Sequence, residues 1–378
     1  MKRFILITML LFGFFGIANE PAIAGILDKA QKLMLQNPAE AFRLAKTAYD
    51  NKDLNHGQKL QSLFIMTNTS NMLQKPLEVI KYGNKALEIA DDNGDAITKI
   101  KILGILGNTY QSLQLNEKTR VYLDQAEVLL SSPKISDSLY MIKGNIFYLK
   151  GMNYFYSLDS GIALSYFNKA INQYLQSKNP LAEINIKLAY LNKGFALIQQ
   201  KQTKLAIENL NLASINTMES ANHYPPQFVE LQQAFTELGK AKILALENRP
   251  ELSNNILFQI LKQRKNQAPR DDIENEIYDL LSRNFLQLKD IEKHDYYESI
   301  YKKRVAESNS ESAKLVNQLI LQEGVDSTSE KLSINKKYGF LIGLSAAFFS
   351  IIIIFMLFKT VKKEQIRRTL RKEATKNI

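Results

Sequence analysis

The sequence predicts an all-α protein: a superhelical stack of helix pairs followed by one membrane-spanning helix. Three observations carry that reading. Apolar residues recur three and four apart along most of the 378-residue chain, the period of one face of a helix. Small residues recur at a much longer and regular step, as they do where helix pairs are stacked as repeats. Residues 339–358, GFLIGLSAAFFSIIIIFMLF, carry no charge and only two serines. At 1.5 Å per residue such a run crosses a bilayer core of ~30 Å.

The chain opens with Lys2 and Arg3, an apolar run from Phe4 to Ile17, and a more polar stretch ending Ala22-Ile23-Ala24. A charged start, an apolar segment of secretory length and an A-x-A-like site predict a signal peptide over 1–24, cut after Ala24. An uncleaved anchor is the alternative. The apolar run is shorter than the ~20 residues a spanning helix needs, which favours cleavage.

Residues 25–305 are rich in Ala, Leu, Lys, Gln and Glu and poor in Pro, so helix propensity and apolar spacing agree. A long repeat is legible within them. Leu106, Gly107 and Tyr110 mark the first helix of one pair, and Ala126 the small residue of its second helix. The next pair gives Gly151, Tyr154, Ala163, Phe167 and Ala170, and the one after it Gly194, Leu197, Ala206, Leu210 and Ala213. Leu63, Met66, Val79 and Ala86 form an earlier pair, and Ala41, Ala45 and Ala48 the second helix of a first one. The shared alanines Ala48, Ala86, Ala126, Ala170 and Ala213 stand 38, 40, 44 and 43 residues apart. Leu238-Gly239 opens a degenerate further pair and 277–305 a last one, giving six or seven in all. Small residues belong where backbones approach closely, and Tyr, Phe and Leu fill the space between them.

This pattern resembles the tetratricopeptide repeat family over 25–305, which implies a tetratricopeptide-type α-α superhelical solenoid. The family's first aromatic position is held by Leu103, Phe147 and Tyr190, since the chain has no tryptophan. The order of export signal, long repeats, one membrane helix and basic segment also resembles the sensory half of Bacteroidetes-type regulators. In those, a cytoplasmic helix-turn-helix domain of the AraC type or a histidine kinase follows. Here about twenty residues follow Phe358, so the resemblance implies a sensor whose output domain is absent from this chain.

Residues 306–338 predict a stalk. Leu315, Leu319 and Leu321 give it a short apolar seam, too brief for a coiled coil but able to serve a homodimer. The tail 359–378 holds eight Lys or Arg against Glu364 and Glu373, which predicts the cytoplasmic side. The expected location is the inner membrane, single-pass, with the solenoid periplasmic. Of the net charge of +11, the tail supplies +6 and the signal peptide +1. The remainder gives no case for direct nucleic-acid binding by the exported body. With no cysteine the chain has no disulfide, and stability rests on helix packing.

Residue types for catalysis are sparse. His56, His223 and His294 stand far apart, with no Cys or paired-His spacing beside them, and read as surface or capping residues. Asp91-Asp92-Asn93-Gly94-Asp95 lacks the ligand spacing and closing glutamate of a calcium loop and reads as an inter-helix turn. No phosphate-binding glycine loop, nucleophile elbow or zinc-protease motif occurs. The expectation is a binding protein, with no enzyme activity, cofactor or metal. Its inner wall would be lined by first helices, pointing Phe64, Asn68, Asn71, Lys101, Asn108, Gln111, Asn145, Tyr148, Met152, Tyr156, Leu191, Phe195 and Gln199 at a protein or peptide ligand. Sensing is the first reading. A truncated or partner-dependent transcriptional regulator and an envelope assembly scaffold are the others.

Overall fold

A computed structural model describes residues 20–51, 54–93, 95–132, 136, 139–215, 226–265 and 271–322. The described residues form helices and their turns, with no strand. The predicted membrane helix, the basic tail, the second half of the stalk, most of the signal peptide and His223 lie outside them. Among the described residues no helix is long and apolar enough to cross a membrane.

The chain divides into two units, Met1–Leu315 and Val316–Ile378. In the first, helices come in pairs: α1 (Glu20–Leu33) with α2 (Pro38–Tyr49), α3 (His56–Met72) with α4 (Pro76–Asn93), and α5 (Ala96–Ser112) with α6 (Asn116–Leu130). Then follow α7 (Tyr140–Tyr156) with α8 (Ser160–Gln176), α9 (Ala182–Gln199) with α10 (Thr203–Ala213), and α11 (Pro226–Leu246) with α12 (Pro250–Arg264). The last pair is α13 (Asp271–Gln287) with α14, which occupies residues 291–315 of this unit. In the second unit the described residues, 316–322, are helical.

Side-chain caps fix several helix starts. Asn37 accepts from the Glu40 N–H at 3.1 Å, Asp95 from Thr98 at 3.0 Å and Asp159 from Ile162 at 3.1 Å. Asn55 and Gln58 form a reciprocal capping box at the start of α3. Each cap satisfies an amide that the helix itself leaves without a partner. Asp95 of the acidic Asp91–Asp95 stretch is thus a helix cap.

Six of the pairs turn in the same way. Gln74, Gln114, Leu158, Lys201, Asn248 and Lys289 all take a left-handed backbone, with φ of 55–61°. At each turn the next residue's N–H donates to the carbonyl five positions back, as Lys75 does to Ser70 and Asp159 to Tyr154, at 2.9–3.0 Å. This is the Schellman arrangement, which satisfies the last carbonyls of the first helix. It reverses the chain in three residues and sets the second helix antiparallel to the first.

Each helix packs on the next, and the odd-numbered helices also touch one another in series from α1 through α13. Helices that touch the next but one along the chain sit at the smaller radius, so the odd helices form a continuous inner layer and the even helices an outer one. Inside three of the pairs, α5 with α6, α7 with α8 and α9 with α10, a glycine brings the two axes together. A Cβ built on Gly107 would lie 2.7 Å from Leu123, one on Gly151 2.7 Å from Phe167, and one on Gly194 2.9 Å from Leu210. The repeat alanines Ala48, Ala86, Ala126, Ala170 and Ala213 are all buried, as are the side chains that fill the layers between them, Leu63, Leu106, Tyr110 and Phe167 among them. Gly and Ala mark the repeat because no larger side chain fits between backbones this close.

One polar cluster ties three successive helices. Lys150 of α7, only 5% exposed, meets Asp124 at 2.6 Å and Glu127, both on α6. Tyr166 of α8 donates to Glu127 at 3.0 Å, and the Lys150 ammonium lies 4.8 Å from the Tyr166 ring. Burial opposes the charge on Lys150. Hydrogen bonds to Asp124, Glu127 and Tyr166 outweigh it and hold the ammonium above its ordinary pKa.

Candidate ligand cavity on the inner wall

The inner layer borders an open cavity of about 1200 Å³. Five helices supply its wall: α1 through Gln31, with Met34 just beyond its end, α3 through Phe64, Asn68 and Asn71, and α5 through Lys101, Gly104, Ile105 and Asn108. From α7 come Tyr140, Met141, Asn145, Tyr148 and Leu149, and from α9 Asn185 and Leu188. The spacing of 64, 68 and 71, and of 101, 104, 105 and 108, is that of one helical face. Tyr174 at the end of α8 and the connection 177–181 close one side.

Asparagines dominate its polar lining, with one or more on each of α3, α5, α7 and α9. Asn145 is held in place: its Oδ1 accepts from Tyr174 Oη at 3.0 Å and from Asn185 Nδ2 at 3.0 Å. Its own amide N–H groups have no partner among the described residues. Tyr148 Oη accepts from Asn192 Nδ2 at 2.9 Å. Burial raises the pKa of both phenols, Tyr148 and Tyr174, so they remain neutral. Lys101 lies over the Phe64 ring at 5.8 Å, a cation–π contact.

Of the residues predicted for the inner wall, Phe64, Asn68, Asn71, Lys101, Asn108, Asn145 and Tyr148 line this cavity together. Six stand elsewhere. Gln111 is committed on both ends of its amide, donating to Asn116 Oδ1 and accepting from Asn153 Nδ2, each at 3.0 Å. Met152 packs beside Phe167, and Tyr156 is 54% exposed at the end of α7. Leu191 is buried in the core around α9 and α10, and Phe195 meets Phe235 edge-on at 6.4 Å. Gln199 is exposed near the end of α9. The reason is position along the helix axis: the cavity takes α5 up to 108, α7 up to 149 and α9 at 185 and 188, whereas the six others lie further toward the C-terminal ends, Phe195 and Gln199 within about 20° of the Leu188 direction but about two and three turns on. Pattern reading missed Tyr140, Met141, Tyr174, Asn185 and the 177–181 connection. The steps of 44 and 43 residues on either side of Ala170, longer than the first step of 38, require longer connections before Tyr140 and around 177–181, but they do not say that those connections fold over a cavity.

The cavity holds no acid–base or nucleophile pair, and no cluster of three metal-ligating side chains occurs among the described residues. His294 is spent on structure: its Nδ1 lies 2.9 Å from Ser282 Oγ, joining α14 to α13. His56 opens α3 at the surface.

No family model matches the sequence, and no curated protein does. Solved structures do match in shape. The apo form of RapI aligns with 79% of this chain and 99% of its own at 9% identity, with a TM-score of 0.57. A Rap protein complexed with Competence and Sporulation Factor covers 76% of this chain and 75% of its own at 15% identity and a TM-score of 0.53. The apo form of the quorum sensor NprR from B. thuringiensis covers 80% of each chain at 12% identity and a TM-score of 0.53. The fold is a tetratricopeptide-type solenoid. At these identities the likeness is one of architecture, and it agrees with the paired helices, the small-residue packing and the inner layer described above.

Proposed function

We propose that this solenoid is a membrane-anchored receptor that captures a peptide or a protein segment in the inner cavity and serves in sensing. The observation that carries the reading is the row of asparagine amides on α3, α5, α7 and α9 facing one large cavity flanked by Phe64 and Tyr148. Each primary amide offers donors and an acceptor that match a backbone peptide unit, and the rings supply anchors. Asn68, Asn71 and Asn108 make no side-chain hydrogen bond to a described residue, so pairing with a ligand displaces only water. The fold precedents are a quorum sensor and a Rap protein complexed with Competence and Sporulation Factor. Anchoring rests on the apolar run 339–358, and an exported solenoid rests on the N-terminal signal and the basic tail.

A photo-crosslinking amino acid at Asn108 in the full chain, expressed in its own cells, tests the binding. We expect a discrete adduct that is absent when the probe stands at Val128, 72% exposed on outer helix α6. Equal or no adduct at both positions would refute the reading. Topology is read separately: because the chain has no cysteine, Asn108→Cys alone should react with a membrane-impermeant maleimide in intact spheroplasts. Labelling only after permeabilisation would place the solenoid inside and sink that part.

A further inference from the structure

We infer that the ligand is anionic: a peptide whose carboxylates are held by Lys101 and Lys178 while its backbone meets the asparagines. The inference rests on the peptide-binding reading above and adds the ligand's charge. Among the described residues lining the cavity there are two formal charges, both positive, Lys101 on α5 and Lys178 in the α8–α9 connection, and no Asp or Glu. Elsewhere in the solenoid lysines commonly meet a carboxylate, as Lys46 meets Asp50, Lys240 Glu237 and Lys242 Glu276. The cavity lysines meet none among the described residues. The contact made by Lys101 is with the face of Phe64, which orients the ammonium without neutralising it.

A concave wall focuses the field of such charges, and the neutral amides and phenols around them, with Tyr148 and Tyr174 kept protonated by burial, add no opposing charge. A basic peptide would bring its cations against two unneutralised ammonium groups. An acidic peptide supplies the missing counter-charge, and ammonium–carboxylate hydrogen bonds are the stronger, charge-assisted kind. The carboxylate could be an Asp or Glu side chain or the peptide's C-terminus, and the two sources are separable.

The test uses the full chain in phosphatidylcholine nanodiscs, which carry no net charge to compete for lysine. It is offered four random octapeptide pools: amidated with Asp and Glu as their charged residues, amidated with Lys and Arg, amidated and uncharged, and uncharged with a free C-terminus. Retention is read by mass spectrometry. We expect one or both carboxylate pools to be retained about tenfold over the basic and the amidated uncharged pools, with the preference shrinking as salt rises. Retention of the amidated acidic pool assigns side-chain carboxylates, and retention of the free-terminus pool the C-terminus. Lys101→Gln with Lys178→Gln should abolish the preference, and Lys101→Glu with Lys178→Glu should turn it toward the basic pool. Both lysines are exposed, so far-UV circular dichroism should be unchanged in these variants. Equal retention of all pools, or wild-type preference for the basic pool, overturns the charge assignment and leaves peptide binding standing. Retention of no pool above empty nanodiscs overturns both.

Discussion

Replacing Gly151 by alanine tests whether the repeat glycines are contact points. The new Cβ would stand 2.7 Å from Phe167 Cδ1 and Cε1 and 3.2 Å from its Cγ. To reach ordinary contact near 3.4 Å the ring must retreat by about 0.7 Å. It has little room, since Phe167 is fully buried and its ring lies 6.0 Å from that of Tyr148. Overpacking of this kind costs about 1–3 kcal/mol. Against it stands the gain of about 1 kcal/mol for replacing glycine by alanine inside a helix. The expected net is a loss of about 1 kcal/mol. Gly161→Ala is the internal control, because its Cβ meets nothing closer than 3.8 Å and the same chemical change should be neutral or stabilising. In thermal melts followed by circular dichroism, Gly151→Ala should melt below wild type and Gly161→Ala at or above it, roughly 2–8 °C apart. Adding Phe167→Leu should cost less in the Gly151→Ala background than alone, since the smaller side chain makes room. If Gly151→Ala melts at or above wild type, close helix approach is not what glycine provides here, and the packing account of the repeat fails with it.

Lys150→Met leaves Asp124 and Glu127 without their cation. A fully buried pair broken this way costs about 3–5 kcal/mol, but Asp124 is half exposed and can rehydrate, so we expect a loss of about 1–3 kcal/mol in chemical denaturation. A loss below measurement error would show that the cluster does not couple α6, α7 and α8. Acid should loosen the helix ends first. Hydrogen bonds from Lys293 hold Asp290 below its ordinary value of 3.8, and the Arg43 guanidinium holds Glu40 below 4.5. Both carboxyls are depressed in the folded chain, so they contribute stability above those ordinary values and lose it as pH falls through the folded ones. The Lys293 amide, which donates to Asp290 at 3.2 Å, should therefore lose hydrogen-exchange protection below about pH 4, and Asp290→Ala should remove that pH dependence. An amide whose protection is pH-independent would contradict it.

The repeat was legible because its marks are steric. Gly107, Gly151 and Gly194, and the alanines from Ala48 to Ala213, occupy points where backbones meet, and a sequence records such points as missing side chains. The turns left no comparable trace. Left-handed residues are expected to be glycine or asparagine, yet Gln74, Gln114, Leu158, Lys201 and Lys289 take the conformation, held by two backbone hydrogen bonds and by the packing of the helices they join. The cavity was legible on α3, α5 and the first half of α7, where the apolar face of each helix fixes its rotation. On α9 the cavity ends at Leu188, and Leu191 and Phe195, further along the helix, went to the core. The contributions of Tyr174 and the 177–181 connection were not legible, because which connection folds over a cavity is decided by tertiary contacts and not by local pattern. The repeat pattern predicts the last pair over 277–305, whereas in the first unit α13 begins at Asp271 and α14 covers 291–315, so the pair extends beyond both ends of that pattern.

The inner layer has a mechanical consequence. Because odd helices touch in series while each outer helix hangs on its inner neighbours, the solenoid behaves as a spring whose pitch is set along one wall. The cavity reaches from α1 to α9 across five consecutive helices of that wall. A ligand long enough to grip all five works as a strap, stiffening extension and twist together, whereas one held by two neighbouring helices leaves the spring free. Ligand length, as distinct from affinity, would then decide how much the spring stiffens.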